Sequence, residues 1–350
     1  MKKVLLGILT LVGLGFGAQA QDIHFTQYFK SPLTLNPAQT GLIDSDWRAS
    51  ANFRTQWYQI TNNPYITGTI AYDMPLLKNK LPEGDALGIG VLGLFDRAGT
   101  GGLQNTTLGI SLAYHKSFGM DKEHTLSLGV QGALVQKTID FSKLVFEDQF
   151  DPTMPNYMRE VTAEDFSNND ITYPDFNVGL LYTGRLTENA TIYGGVSMYH
   201  LTRPEETFLN STAAEGIDLR INYRYAGFLG GSFDVNENIT TYVSTMYVQQ
   251  GSAWEYLVGG AVGFVLNPGH RSDVANTALY LGGFYRFKDA FAPYIGLEWT
   301  NMSIGFSFDV TTSNLATSVS HQGAYEVSLV YNGFINKVMN RKYNFACPKF

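Results

Sequence analysis

Apolar side chains recur at every second position in several stretches of the chain. The pattern is clear in "MSIGFSFDV" (302–310), "TLSLGVQGALV" (125–135) and "TLGISLAYH" (107–115), where the intervening residues are mostly small or polar. Successive side chains of a β-strand point to opposite faces. The pattern therefore predicts strands with one apolar face and one small or polar face.

The composition favours a membrane barrel over a soluble β-sandwich. The polar faces hold Gly, Ser, Thr and Gln rather than the Lys and Glu expected of a surface in water. Charged residues make up 16% of the chain, below the roughly 25% of typical globular domains. Aromatic residues make up 14%, and there are 36 glycines. We predict a transmembrane β-barrel whose apolar faces contact lipid, and we retain a soluble β-sandwich as the alternative.

We count fourteen candidate strands, and an even number is usual for single-chain bacterial barrels. The predicted fold is all-β, a transmembrane antiparallel β-barrel over residues 47–334. Closure removes the unpaired sheet edges that lipid cannot satisfy. The strands are predicted at 47–60, 64–74, 86–97, 103–117, 123–138, 174–186, 189–201, 219–234, 238–250, 254–267, 276–288, 291–300, 301–311 and 322–334.

Aromatic residues cluster near the ends of these strands, as the interfacial girdles of membrane barrels require. They are Trp47, Trp57, Tyr58, Tyr65, Tyr72, Tyr193, Tyr199, Tyr247, Trp254, Tyr256 and Trp299.

The first twenty residues have the organisation of a secretory signal peptide. Two lysines are followed by the apolar stretch 4–16 and by Ala18-Gln19-Ala20, an A-x-A cleavage site. The apolar stretch is shorter than the roughly 20 residues of a membrane-spanning helix. We therefore predict export and a mature chain that begins at Gln21. Residues 21–46 and 335–350 are predicted to be periplasmic N-terminal and C-terminal segments.

The connections between the predicted strands fall into two groups. The two longest, 139–173 and 202–218, lie on one side of the barrel, and the tight turns "GMDKE", "RLTEN" and "DVNEN" lie on the other. Short periplasmic turns and long extracellular loops are typical of outer-membrane barrels. The chain is therefore predicted to lie in the outer membrane with its long loops outside.

The sequence predicts neither a catalytic site nor a bound cofactor. The letters of "GIGVLG" (88–93) match a dinucleotide-binding motif, but they lie within a strand-like stretch without the required helix. The six histidines are scattered and Cys347 is the single cysteine, so no metal site is expected. Acidic residues in "FEDQFDPTMPN" (146–156) lack the spacing of a calcium loop. The net charge of −7 disfavours a nucleic-acid partner.

The alternation also predicts which charged residues point into the lumen. These candidates are Arg48, Arg54, Asp73, Arg220, Arg224, Arg286, Glu298, Asp309 and Glu326. Since the last strand closes on the first, Glu326 is expected near Arg48 or Arg54. Unpaired buried charges are expensive, so charges of mixed sign would pair and fill the lumen. The hypothesis is a narrowed or plugged barrel, and an open, hydrated lumen is the alternative.

Several motifs along the chain carry a resemblance to a known family. They include "HFTQYFKSPLTLNPAQTG" (24–41), "NFRTQW" (52–57), "AYDMPL" (71–76), "YGGVSMYHLTRP" (193–204), "LYLGGFYRFKDAFAPYIGLEW" (279–299), "IGFSFDVTTSNL" (304–315), "GAYEVSLVY" (323–331) and the final "CPKF". In this order, from Gln21 to Phe350, they resemble the PorP/SprF family of outer-membrane proteins of the type IX secretion and gliding machinery of Bacteroidota.

The resemblance implies a non-enzymatic barrel needed for secretion or surface attachment of adhesin-like cargo. Such cargo carries a C-terminal sorting domain, and the family associates with periplasmic components of the type IX machinery as well as with outer-membrane lipid. The runner-up function is a general porin or a channel for hydrophobic substrates. A secreted soluble enzyme or lectin with a β-sandwich is the third possibility.

The resemblance makes the two terminal motifs candidates for partner docking. The candidate residues are Phe25, Gln27, Tyr28, Asn36, Pro37, Cys347, Pro348 and Phe350. Phe25 and Tyr28 are aromatic anchors of the kind that dominate interfaces. Pro32 and Pro37 favour extended geometry at the residues before them. The N-terminal motif is expected to dock a partner or plug the barrel mouth, or else simply to cover apolar surface at the rim.

Overall fold

Fourteen antiparallel strands close into a single barrel in which every strand pairs with its neighbours in the sequence. The computed structural model describes residues 22–58, 61–77, 80–146, 149, 168–208, 218–266, 277–313, 316–317 and 321–335. The predicted signal peptide 1–20 and residues 336–350 lie outside the described residues. The predicted all-β antiparallel barrel with about fourteen strands is confirmed.

The strands, numbered in chain order, are β1 (Trp47–Gln56), β2 (Tyr65–Leu76), β3 (Ala86–Ala98), β4 (Leu103–Phe118), β5 (His124–Thr138), β6 (Asp170–Thr187), β7 (Ala190–Tyr199), β8 (Arg224–Asn236), β9 (Ile239–Gln250), β10 (Ala253–Val265), β11 (Thr277–Arg286), β12 (Ala290–Trp299), β13 (Met302–Thr311) and β14 (Gln322–Gly333). Strands β6 and β8 begin at positions other than the predicted 174 and 219.

The barrel closes where the last strand pairs with the first. The register of this seam runs from Trp47 opposite Gly333 to Gln56 opposite Ala324. A closed barrel leaves no sheet edge in the lipid, so backbone groups of the wall are satisfied between strands.

The period-2 pattern separates a lipid face from a lumen face. On the outer face, Ile70, Leu108 and Ile110 are 67, 64 and 60% exposed. Inward-facing Asp73 and Ser111 are fully buried. Water would penalise so many exposed apolar side chains, whereas hydrocarbon accepts them. None of the helices among the described residues has the length and hydropathy that a membrane-spanning helix requires.

The two ends of the barrel differ in the length of their connections. The long-loop end carries the connections 139–169 and 200–223, and the short-turn end carries turns such as 188–189 and 237–238. The usual asymmetry of outer-membrane barrels predicts that the short-turn end faces the periplasm.

The N-terminal segment folds inside the barrel. It contains a four-residue helix α1 (Pro32–Leu35) between 3₁₀ turns at Tyr28–Lys30 and Pro37–Gln39. Its residues are mostly buried against inward-facing side chains of the wall. The prediction that residues 21–46 form a periplasmic segment therefore fails for residues 22–45. Their backbone and side chains find their hydrogen-bond partners inside the lumen.

Candidate functional site

Residues 22–45, which we call the plug, run through the lumen from one end to the other. At the long-loop end, the backbone N–H of Asp22 donates to Gln250 Oε1 at 2.8 Å. Towards the short-turn end, Lys30 Nζ donates to Ser303 Oγ at 2.8 Å. The chain then crosses to the opposite wall and leaves at the short-turn end to enter β1.

A cluster of buried charges surrounds Thr26 beside the seam between β1 and β14. Arg54 Nη2 lies 2.6 Å from Asp309 Oδ2, Arg54 Nη1 lies 3.3 Å from Glu326 Oε2, and Arg286 Nη1 lies 3.0 Å from Asp309 Oδ2. Both guanidinium groups donate to Thr26 Oγ1, at 3.2 Å from Arg54 and 2.6 Å from Arg286. Mutual pairing compensates the cost of burying these charges.

Glu326 joins the plug to the seam. Its two carboxylate oxygens accept the backbone N–H groups of Thr26 and Gln27, both at 2.8 Å. The Gln27 side chain continues the contact, because its Nε2 donates to Ser307 Oγ and its Oε1 accepts from Ser328 Oγ. One side chain of the last strand therefore binds the plug and the first strand together.

The opposite wall satisfies backbone carbonyls of the plug. A segment with little regular structure must find partners for its buried backbone groups elsewhere. Here wall side chains supply them: Gln131 donates to Leu33 O at 3.2 Å, Tyr199 to Thr34 O at 2.8 Å and Ser197 to Leu35 O at 2.9 Å, while His115 Nε2 lies 2.8 Å from Thr40 O.

Asn36 binds directly to the backbone of the wall. Its Nδ2 donates to the carbonyl oxygens of Leu180 and Val196, both at 3.1 Å. Its Oδ1 accepts the N–H of Ala38 and thereby caps the second 3₁₀ turn. Asn36 reaches the wall because the adjacent inward-facing residue Gly179 has no side chain.

Four of the inward-facing glycines form the seat of the plug. A Cβ atom on any of these four would overlap a backbone or side-chain atom of the plug, so the wall approaches the plug as closely as glycine allows. The pairs are Gly88 with Thr40 O, Gly129 with Pro37 C and Ala38 N, Gly179 with Asn36 Oδ1, and Gly305 with Gln27 Oε1. This contact explains why small residues occupy the polar faces of these strands.

A second ion pair fixes the plug where it leaves the lumen. Arg48 donates to both oxygens of Asp73, from Nε at 2.9 Å and from Nη2 at 2.7 Å. Asp73 Oδ2 also accepts the N–H of Gly41 at 2.7 Å, and Arg48 Nη2 donates to Gln39 O. The bidentate geometry is the strong form of an arginine–carboxylate contact.

At the long-loop end, a histidine holds the first described residue of the plug. His200 Nε2 lies 2.7 Å from Asp22 Oδ2, and His200 Nδ1 lies 3.1 Å from Asp175 Oδ2. Burial alone would lower the pKa of His200, but Asp22 and Asp175 outweigh it and raise the pKa to about 9. Burial opposes ionisation of Asp22, yet His200 holds the pKa of that carboxyl well below its usual range.

Cavities lie beside the plug in both halves of the lumen. One of about 100 Å³ lies in the long-loop half and is lined by Phe25, Tyr28, Leu92 and Met246 among others. The second, of about 320 Å³, opens towards the short-turn end and is lined in part by Lys30, Tyr280 and Glu298. The plug lies between the cavities.

The structure brings most of the charged candidates together on the lumen side. Arg54, Arg286, Asp309 and Glu326 form the cluster at the seam, and Arg48 pairs with Asp73. The Arg224 guanidinium stacks over the Tyr199 ring at 4.7 Å, and Glu298 accepts from Tyr280 at 2.7 Å.

The prediction that Arg220 lines the lumen is wrong. Its side chain is 52% exposed, and it pairs with Asp218 at 2.8 Å in the connection before β8. Alternation continues through Leu219, Ile221 and Tyr223, but this stretch precedes the strand and bridges back to Glu205.

The docking candidates of the N-terminal motif are all buried. Phe25, Gln27, Tyr28, Asn36 and Pro37 face the lumen wall and offer no surface to an outside partner in this conformation. Cys347, Pro348 and Phe350 lie outside the described residues.

Several residues of the site are not predicted by the sequence. Thr26, His115, Asp175 and His200 all contact the plug or its anchors. For His115 the inward phase of β4 was a usable signal. Nothing in the sequence marks Thr26 as the centre of a charge cluster.

The described residues offer no metal centre. Within the described ranges, no group of three or more His, Cys, Asp or Glu side chains lies close enough together to hold a metal ion.

A comparison with solved structures finds similarity to two toluene transporters and a FadL homologue. The toluene transporter TbuX of Ralstonia pickettii has 13% identity and a TM-score of 0.45, covering 86% of this chain and 92% of its own. A FadL homologue of Pseudomonas aeruginosa has 12% identity and a TM-score of 0.46, covering 87% and 94%. The toluene transporter TodX of P. putida has 10% identity and a TM-score of 0.45, covering 86% and 93%.

Comparison with curated proteins returns no match. A comparison with family models matches residues 17–331 to the model described as "Type IX secretion system membrane protein PorP/SprF". The match spans the end of the predicted signal peptide, the plug and nearly the entire barrel. The chain therefore belongs to the PorP/SprF family of type IX secretion system membrane proteins.

Proposed function

We propose that this outer-membrane protein is a non-enzymatic component of the type IX secretion and gliding machinery. In this role it supports secretion or surface anchoring of adhesin-like cargo with C-terminal sorting domains. The outer-membrane location follows from the barrel and the family. The cargo and the part in gliding belong to the proposal.

The filled lumen is the structural observation that supports this proposal in addition to the family match. Thr26, Gln27 and Asn36 hold the plug to opposite walls by buried hydrogen bonds. A general porin needs a water-filled channel, and a plugged lumen is poorly suited to that task. The surfaces left for partners are the loops at one end and the turns at the other.

A channel for hydrophobic substrates is the second candidate. The cavity in the long-loop half offers such a substrate an apolar side at Phe25, Leu92 and Met246, although charged residues such as Lys137 and Arg224 also line it. Its volume of about 100 Å³ restricts it to small molecules. Plug movement would be required for passage, so this candidate predicts transport that depends on residues 22–45.

The experiment is deletion of the gene in the native organism, with the wild-type chain restored as the control. We expect proteins with C-terminal sorting domains to disappear from the cell surface and accumulate inside the envelope. Uptake of small hydrophilic and hydrophobic solutes should not change. An unchanged surface proteome together with a solute-uptake defect would support the channel and contradict the proposal.

Periplasmic partners can be sought at the short-turn end. Met120 lies in the turn after β4 and is 98% exposed. We expect a photo-crosslinker at Met120 to capture a periplasmic component of the machinery in intact cells. The matched control is the same crosslinker at Val196, which is exposed on the lipid face of β7. Equal capture at both positions would remove support for a partner at this end.

A further inference from the structure

The seam between β1 and β14 is the strand pairing whose residues lie farthest apart in the sequence, and we expect it to be the hardest to form. Arg54 and Glu326 are direct cross-strand partners, yet 272 positions separate them in the sequence. The entropy lost in closing a loop grows with its length, and pairing of distant strands slows folding. Glu326 must also give up water as it enters a buried position.

The plug supplies hydrogen-bond partners for Glu326, and it lies close to β1 in the sequence. Thr26 precedes Arg54 by only 28 positions. Its N–H and that of Gln27 satisfy both carboxylate oxygens of Glu326, and its hydroxyl oxygen accepts from Arg54 and Arg286. Thr26 therefore contacts side chains of β1, β11, β13 and β14 at one point.

The path of the plug imposes an order of events. Asp22 lies at the long-loop end, whereas the chain enters β1 at the short-turn end. Seating the plug after closure would require residues 22–30 to thread past the paired side chains of Arg54, Arg286 and Asp309. Placing the plug against an open sheet requires no threading.

We propose that the plug is an internal template for barrel closure: residues 22–30 dock on β13 and β14 before β14 pairs with β1. Thr26 and Gln27 then hold Glu326 beside Arg54, so the seam forms around an occupied lumen. The plug is thereby an assembly element as well as an obstruction, and this inference is independent of the cargo proposed above.

The order of events can be measured on the full mature chain. The protein is refolded from urea into detergent micelles, and samples taken over time receive a brief trypsin pulse. Closed barrels are separated by their migration on unheated gels, and mass spectrometry of that band reports cleavage after Lys30, a plug residue that is 95% buried when seated. We expect closed barrels to be protected at Lys30 from their first appearance. Early closed barrels that are cut after Lys30 would overturn the proposal.

A matched pair of substitutions tests the seam contact itself. Thr26→Val removes the hydroxyl that binds Arg54, Arg286 and Asp309. Thr34→Val removes a plug hydroxyl that bonds only within the plug, to Ser31. We expect Thr26→Val to slow closure at least tenfold and Thr34→Val to change it less than twofold. Equal closure rates in the two variants would contradict a templating role for the seam contact.

Discussion

His200 holds Asp22 at the long-loop mouth of the lumen, with His200 Nε2 2.7 Å from Asp22 Oδ2. The same imidazole contacts Asp175 through Nδ1, so one side chain bridges the plug and β6. A protonated imidazole between two carboxylates is the arrangement that this geometry favours. The Arg224 guanidinium and Lys137 also act on Asp22 electrostatically.

Stability of the plug should therefore depend on pH through His200. Its pKa is raised to about 9 in the folded protein from 6.5. The stabilisation is complete below about pH 6.5 and is lost as the pH rises towards 9. It amounts to about 3 kcal/mol at most. We expect the stability difference between wild type and His200→Gln to shrink between pH 6 and pH 9.5, measured by the midpoint temperature of heat-modifiable gel migration.

His321→Gln is the control for this pH prediction. His321 lies at the same end of the barrel, but its Nδ1 contacts the carbonyl oxygen of Thr311 rather than a carboxylate. A pH dependence shared by both variants would show that the effect is not specific to the carboxylate contacts of His200. A constant difference between wild type and His200→Gln across the range would contradict the assigned ion pair.

Removing the charge of Glu326 should destabilise the closed barrel. Glu326 is fully buried and binds Arg54 and two backbone N–H groups of the plug. Replacing it with Gln removes one of the two carboxylates that pair with Arg54, whose pair with Asp309 remains, and leaves a plug N–H group without its acceptor, which together cost about 3 kcal/mol. Urea unfolding of Glu326→Gln should show this loss, while Glu188→Gln in an exposed turn should stay within about 0.5 kcal/mol of wild type. Equal urea midpoints for the two variants would contradict the prediction.

The wall of this barrel could be predicted from the sequence, because the relevant signal is local. Alternation in β13 and β14 predicts Asp309 and Glu326 on the inner face. Closure of the last strand on the first predicts Glu326 near Arg48 or Arg54, and in the structure its cross-strand partner is Arg54. The position of Arg220 could not be predicted in this way. Alternation records which residues share a face, but it does not show whether a stretch pairs with its neighbours.

The plug could not be predicted in detail from its own residues. Its contacts depend on empty space at Gly129 and Gly179 in distant strands, and a missing side chain does not reveal what fills the space. The two prolines indicate irregular backbone without indicating where it lies. The sequence therefore predicts an unusual N-terminal segment and the possibility of a plug, and the path through the lumen comes from tertiary contacts.

Replacing the Asn36 side chain with a carboxylate should weaken the binding of the plug to the wall. Asn36→Asp removes both side-chain donors to Leu180 O and Val196 O and places a charge against the two carbonyl oxygens. The lost hydrogen bonds and the unfavourable burial cost about 3 kcal/mol. We expect faster trypsin cleavage after Lys30 in the folded barrel. Asn189→Asp in an exposed turn is the control, and similar cleavage of the two variants would contradict the role of Asn36.

Occlusion of the lumen should depend on the glycine seat, which a matched pair of alanine substitutions can test. A Cβ at Gly129 would overlap plug backbone at Pro37 and Ala38, so Gly129→Ala forces the plug to shift. A Cβ at inward-facing Gly109 on the neighbouring strand would have its nearest neighbours in the wall, among them Ala133 Cβ at an ordinary 3.6 Å. In planar bilayers we expect wild type and Gly109→Ala to conduct weakly and Gly129→Ala to show larger or more frequent openings. A large, steady conductance already present in wild type would show that the plug does not close the lumen, because only an unobstructed aqueous path supports such a current.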